Sequence, residues 1–251
     1  MNIAIVGGTG TLGRQVVSQL RARGHEVRAL SRNAPEFPVD LTTGAGLGKA
    51  LAGCDVVVDA SNNASRTAAA TLVDGTRRLL AAGQEAGVAH HVCVSVLGCE
   101  LVPAAYFKVK AEQENAVAQG TVPWTIVRAT QFHEYVAAMM RAVARYGVVP
   151  VPRAVLQPVA SAEVAAVVAA AAADGPRRGR VEIAGPEVAS VADLARTWRR
   201  AAARPALLVP LPLPGALGRA LRGGALTAAG PGIRGRQTFA EWAGAQGGLL
   251  R

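Results

Sequence analysis

The sequence is short of what a membrane span, a disulfide framework or a metal centre would need. Its hydrophobic runs are broken by Gly, Pro or charge well before the ~20 residues of a transmembrane helix, so no membrane association is expected. Cysteine is scarce: Cys54, Cys93 and Cys99 form neither a C-x-x-C pair nor an even set. Structural disulfides and zinc are thereby disfavoured, no metal is expected, and reduced core thiols account for all three. Aromatic residues make up only 4% of the chain. With no recognition-helix pattern and no zinc spacing beside them, direct nucleic-acid binding is not expected. Lysine is rarer still, at positions 49, 108 and 110 only, so the formal charge of +10 rests on arginine. That charge is uneven, because residues 1–140 carry 12 basic and 11 acidic side chains whereas residues 141–251 carry 15 and 6. A solvated basic face is the plain account, with an anionic substrate or partner left open. No internal repeat is present. The chain opens directly on a strand pattern rather than a signal peptide, from which a cytoplasmic location is expected.

What is present suffices for one substantial core: 251 residues, 51% of them apolar, make either one large domain or a domain with a smaller lobe. The N-terminus sets an apolar run, Ile3 to Val6, directly before Gly7, Gly10 and Gly13. Leu12, Val16, Val17 and Leu20 follow at helical spacing, and Gly24 stands where a helix would end. This order of strand, glycine turn and helix predicts a phosphate cradle. Gly7 allows the sharp turn, Gly10 removes a side chain where a pyrophosphate approaches, and Gly13 lets the helix pack closely; the helix N-terminus then offers N–H groups to the anion. A dinucleotide site built this way usually carries an acidic residue at the end of the second strand when it prefers NAD. Here that strand, residues 25–30, ends in Ser31-Arg32, and a hydroxyl with a guanidinium suits a 2′-phosphate, so NADP(H) is the expected cofactor.

Strand and helix then alternate. A short third strand is expected at 37–39, followed by Asp40 and Leu41, which would flank the adenine. Next come a helix over 47–51, a strand over 55–60, a long helix over 66–86, a strand over 91–96, a helix over 104–119 and a strand over 124–129. The fold class is therefore α/β, a doubly wound parallel Rossmann sheet. From 147 the composition turns to Pro, Arg and Ala, with a helix over 161–173, a strand over 180–184 and helices opened by the capping boxes Ser190/Asp193 and Thr238/Glu241. Two domains are expected: a dinucleotide-binding domain over 1–146 and a small α/β lobe over 147–251, placed above the carboxyl end of the sheet to bind substrate. Ligands in such sheets sit beyond the strands' carboxyl ends. Ala60-Ser61-Asn62, Ser95 and Ala129-Thr130 are therefore cofactor candidates, and Gln131, Phe132 and His133 candidate walls of a substrate pocket.

Tyr106 and Lys110 lie four residues apart, hence on one face of a helix. A neighbouring cation favours the phenolate, so such a pair can exchange a proton with a substrate, while the lysine can also hold the nicotinamide ribose. Ser95, ending the preceding strand, could hydrogen-bond a carbonyl or the phenol.

With these residues assembled, the chain resembles the atypical, NmrA-like branch of the short-chain dehydrogenase/reductase superfamily. The likeness runs through the segments at 106–114 and 124–133, Gly185-Pro186-Glu187 and residues 238–242. It implies that Gly7, Gly10, Thr11, Leu12 and Gly13 hold the pyrophosphate, Arg32 the 2′-phosphate, and Tyr106 with Lys110 the nicotinamide end; Thr9, within the glycine turn, is a further cofactor-binding candidate. Three activities are compatible with it. The first is an NADPH-dependent reductase of a small carbonyl, quinone or enone, with Tyr106 as proton donor. The second is a redox sensor that binds the dinucleotide without turnover, and the third a redox-neutral epimerase or isomerase. A small-molecule substrate and a monomer or homodimer are expected.

Overall fold

The computed structural model describes residues 1–246. Strand β1 (Asn2–Val6) is buried from Ile3 onward, as a central parallel strand covered on both faces must be. Helix α1 (Thr11–Ala22) buries Leu12, Gly13, Val16, Val17 and Leu20, the residues spaced for one face. Then come β2 (Glu26–Leu30), α2 (Leu47–Leu51) and β3 (Val56–Asp59). The long helix expected over 66–86 begins with a wide π-helical turn, Ala70–Asp74, and continues as α3 (Gly75–Glu85). Its face of Leu72, Thr76, Leu79, Leu80 and Gly83 is buried as the spacing requires. β4 (His90–Val96), α4 (Ala105–Ala118) and β5 (Trp124–Ala129) complete this run.

These strands join a seven-stranded sheet of order β11-β8-β5-β4-β3-β1-β2, where β8 is Gly179–Ala184 and β11 is Ile233–Arg234. β1 pairs in parallel with β2 on one side and β3 on the other. The winding therefore reverses at β1, which is where doubly wound sheets open a ligand crevice. Leu30, Leu51, Leu79 and Ile126 are fully enclosed in the core beneath it.

Several expectations are corrected. The third strand at 37–39 is reduced to one parallel bridge, Ser31 with Pro38: proline has no N–H for a ladder, and Phe37 lies instead under the Arg28 guanidinium, 5.1 Å from its ring centre. The strand assigned to the lobe, now β8, belongs to the main sheet. By contact the chain divides into two interleaved units. One unit holds Met1–Ser95, Ala105–Arg128 and Val164–Val181, and the other Val96–Ala104, Ala129–Glu163 and the described residues from Glu182 onward. α6 (Ser161–Asp174) bridges this division in sequence.

Within the second unit stand elements that the sequence reading did not anticipate: α5 (His133–Ala144), β6 (Val148–Pro152), β7 (Val155–Leu156), β10 (Leu207–Leu211) and α8 (Gly215–Arg222). β6 and β10 pair in parallel, while β7 pairs antiparallel with β9 (Ala189–Ser190). Helices α7 (Val191–Ala201) and α9 (Phe239–Gln246) carry the two capping boxes. Ser190 Oγ accepts from Asp193 N at 3.1 Å, and Thr238 Oγ1 accepts from Glu241 N at 3.1 Å.

Candidate active site

The glycine turn is built by contact as much as by conformation. Gly7 has φ +74°, and a Cβ there would sit 2.7 Å from Ala60 O; a Cβ at Gly13 would sit 2.1 Å from Gly7 O. Gly8, not singled out in the sequence, is equally constrained, because its Cβ would stand 2.9 Å from the Ala29 Cα. Gly10 differs, since a Cβ there would meet only Gly7 O, at 3.2 Å. Gly10 is also the N-cap of α1, with no side chain capping the helix and no acidic residue in its first turn. An uncapped N-terminus beside open space is a fit for a phosphate. Nearby, Ser61 Oγ is buried with no hydrogen-bond partner among the described residues.

At the end of β2, Arg32 is exposed and stands beside Asp40. Hydrogen bonds from the Thr42 hydroxyl and amide, aided by the Arg32 charge, hold the Asp40 carboxyl below its usual range. Ser31 O accepts from Ala34 N and Val39 N, fixing the turn that presents Arg32. Leu41 is only 6% exposed and packs against Gly75, so its side chain serves the core.

On α4, Tyr106 O–H donates to Asn62 Oδ1 at 2.9 Å, tying the helix to the loop after β3. Lys110, one turn on, is 2% exposed. Its Nζ donates to Val94 O at 2.8 Å and to Gln113 Oε1 at 2.6 Å. Gln113 Nε2 in turn donates to Asp59 Oδ2 at 3.1 Å, and the same carboxylate oxygen accepts from Thr76 Oγ1 at 3.0 Å. Asp59 Oδ1 accepts from Ser61 N at 3.0 Å. Ser95 is 4% exposed, and its Oγ is buried with no hydrogen-bond partner among the described residues. Burial would push the Glu114 carboxyl up, but hydrogen bonds from Arg128 and Arg180 with the Arg128 charge overcome it and keep it below its ordinary value. The Arg128 grip is two-pronged, Nε to Oε1 at 2.9 Å and Nη2 to Oε2 at 2.7 Å. Asp59, Thr76, Gln113, Glu114 and Arg128 are thus parts of the site that the sequence did not announce.

The remaining candidates lie in the other unit and are engaged there. Ala129 and Thr130 are buried, and Thr130 Oγ1 donates to Gln157 O at 2.6 Å and accepts from Gly185 N. Gln131 Nε2 donates to Leu226 O, and its Oε1 accepts from Gln157 N. Phe132 is half-buried and caps α5. His133 is fully enclosed; its Nε2 lies 3.1 Å from Gln237 O, and its ring packs against Phe239 and Trp242. Burial pushes the His133 pKa down. The structure therefore gives His133 an aromatic core in place of the pocket wall expected of it. Among the described residues no cluster of His, Cys, Asp and Glu could hold a metal ion, and no helix is long and apolar enough to cross a membrane.

A glycine cradle and an uncapped helix at the reversal point of a doubly wound sheet define a dinucleotide-binding protein. The NAD(P)H-binding family model matches residues 7–175, and the chain belongs to that family. It is 30% identical over 221 residues to (4-alkanoyl-5-oxo-2,5-dihydrofuran-3-yl)methyl phosphate reductase of Streptomyces griseus, covering 81% of this chain and 74% of that protein. It is 32% identical over 149 residues, 53% of this chain, to photosystem II assembly factor Ycf39 of Trieres chinensis, and spans about half of that relative's length, 47%. Among solved structures, the NADPH complex of an NADPH-dependent quinone oxidoreductase from Escherichia coli superposes with a TM-score of 0.80 at 20% identity, over 97% of this chain and 99% of that one. Triphenylmethane reductase of a Citrobacter species, complexed with NADP(H), gives 0.77 at 18% identity, over 98% and 100%. At such identities these two carry the fold.

Proposed function

We propose that the protein is an NADPH-dependent oxidoreductase that reduces a small carbonyl, quinone or enone. The observation that carries this reading is the pairing on α4: the Tyr106 hydroxyl, oriented by Asn62, one helical turn from a buried Lys110 ammonium. Bound dinucleotide would supply the hydride to the electrophilic carbon. Tyr106 would give its proton to the oxygen that gains charge, so that hydride plus proton complete the reduction. An ammonium has three N–H donors, of which Lys110 places two on protein oxygens; the third suits a ribose hydroxyl. The N-terminus of α1 would hold the pyrophosphate. Arg32, exposed at the end of β2, would pair with a 2′-phosphate and favour NADP over NAD. The reductase named among the relatives and the NADPH complexes among the structural neighbours support the same direction.

The test is NADPH oxidation followed optically over a panel of quinones, enones, aldehydes and ketones, with Tyr106→Phe alongside. Turnover is expected in the native protein and a fall of about 100-fold or more in the variant, with NADPH binding retained. NADPH that binds but is consumed with no member of the panel would instead make the chain a dinucleotide sensor.

A further inference from the structure

Lys110 and Asp59 are opposite charges that are both almost wholly enclosed, at 2% and 0% exposure. They are linked through one amide: Gln113 accepts from the ammonium with Oε1 and donates to the carboxylate with Nε2. The order of donors and acceptors along this chain has one consistent solution. Lys110 can only donate and an ionised Asp59 can only accept, so the amide between them must present its oxygen to the lysine and its nitrogen to the aspartate. Thr76 Oγ1 adds to the same end, donating to Asp59 Oδ2 at 3.0 Å and accepting from Gln113 Nε2 at 3.0 Å. Val94 O takes a second proton of the ammonium, at 2.8 Å. The side chains involved come from β3, α3 and α4, with a backbone carbonyl from β4, so Lys110 is fixed from four elements at once.

We infer that Gln113 and Asp59 are positioning residues of the dinucleotide site: Asp59 fixes the orientation of the Gln113 amide, and that amide aims the Lys110 ammonium at the nicotinamide ribose. The inference rests on the cofactor role proposed for Lys110. Gln113 touches no reacting atom; it acts by leaving the ammonium one direction in which to donate. Asp59 provides the buried counter-charge without which the enclosed cation would be left uncompensated.

The donor–acceptor order supplies its own test. Gln113→Glu sets two carboxylates face to face, and Asp59→Asn lets the amide turn over and present its nitrogen to Lys110. The double exchange Asp59→Asn with Gln113→Glu restores the order, because an amide at 59 donates to a carboxylate at 113 that accepts from Lys110. The measurement is the affinity of the folded protein for NADPH or NADH, whichever the native protein binds more tightly, read from dinucleotide fluorescence, with unfolding temperatures taken in parallel. Each single exchange is expected to weaken binding about 10-fold, the worth of one charge-assisted hydrogen bond, and the double exchange to return it to within about 3-fold of native. A merely structural role would lower the unfolding temperature and leave the affinity of folded protein unchanged, which would overturn the inference. So would a double exchange that binds no better than the weaker single one. If a single exchange does not fold, the double exchange decides alone, with native-like binding in support and weak binding against. Thr76→Val, the mildest change to the network, is expected to weaken binding about 3-fold; if neither it nor any folded exchange alters affinity, the inference falls. Lys110→Met separates this inference from the reading beneath it. Weaker binding there with native binding in the Gln113 and Asp59 variants removes the positioning role alone, whereas native binding in Lys110→Met removes the cofactor role of Lys110 itself.

Discussion

At Gly13 a single methyl group would sit 2.1 Å from Gly7 O and 2.8 Å from the Gly8 Cα, both of them backbone that cannot swing aside. At Gly10, three residues earlier, the nearest atom to the same methyl is 3.2 Å away and the space beyond is open. The two alanine variants therefore separate packing from ligand approach. Gly13→Ala is expected to cost roughly 1–3 kcal/mol of stability by overpacking, lowering the melting temperature and dinucleotide affinity together. Gly10→Ala is expected to melt close to native while binding NADPH about 10-fold or more weakly, because the added Cβ would meet the phosphates. Melting curves and a fluorescence titration of each variant check both outcomes; native affinity in Gly10→Ala would mean that no phosphate passes there. These glycines, and the Tyr106/Lys110 pair, were legible because their spacing is local. Asp59 and Gln113 are 54 residues apart, and only folding brings a strand end and a helix face together. The one local hint was an acidic residue closing the apolar run Val56-Val57-Val58, in a strand buried along its whole length.

Among the elements, those with strong local chemistry were readable. The capping box of α7 is one, with Ser190 Oγ taking the Asp193 amide at 3.1 Å. Ser190→Ala is expected to cost about 1 kcal/mol, seen as a lower melting temperature without loss of dinucleotide affinity; an unchanged melting temperature would show that the cap contributes nothing to stability. The elements that were missed are those whose local preference is weak or misleading. β6 and β10, VVPVP and LLVPL, each contain proline, which argues against a strand until the two pair with each other. Helix α5 was lost for a different reason. His133, Val136, Ala137, Met140 and Ala144 are buried at helical spacing, but the helix follows β5 after only residues 130–132, with no side-chain cap to mark its start. The wide π-helical turn at Ala70–Asp74 left no trace in the pattern, since Leu72, Thr76 and Leu79 keep one face through it. Such turns are frequent at functional sites, and this one precedes Thr76, a member of the Lys110 network.

For the whole molecule, the alternation of strand and helix was enough to give the sheet. The charge excess of the C-terminal part finds local uses: Arg199, Arg222 and Arg234 each donate to a backbone carbonyl, at Ala206, Leu213 and Gly230. What composition could not show is how the fold treats its histidines. Three of the four, His90, His91 and His133, are 2% exposed or less, and all three are held below their ordinary pKa. His90 is pushed down to about 4, first by burial and then by the charge of His91. Its Nε2 lies 2.9 Å from Thr125 Oγ1. The unfolded chain takes up a proton at His90 near pH 6.5, whereas the folded chain resists until about pH 4. Stability present above pH 6.5 is therefore lost as pH falls through this window, by about 3 kcal/mol from His90. His91 and His133 act in the same direction. Glu114, whose carboxyl is held below its ordinary 4.5, adds a further loss only as pH falls below that value. The melting temperature is accordingly expected to decline from pH 7 to pH 4 and not to level off within that range. His90→Gln, which carries no titrating group, should melt lower than native at pH 7.5 yet lose less on going to pH 4.5. Parallel melting curves for native and variant would place the acid sensitivity elsewhere than His90.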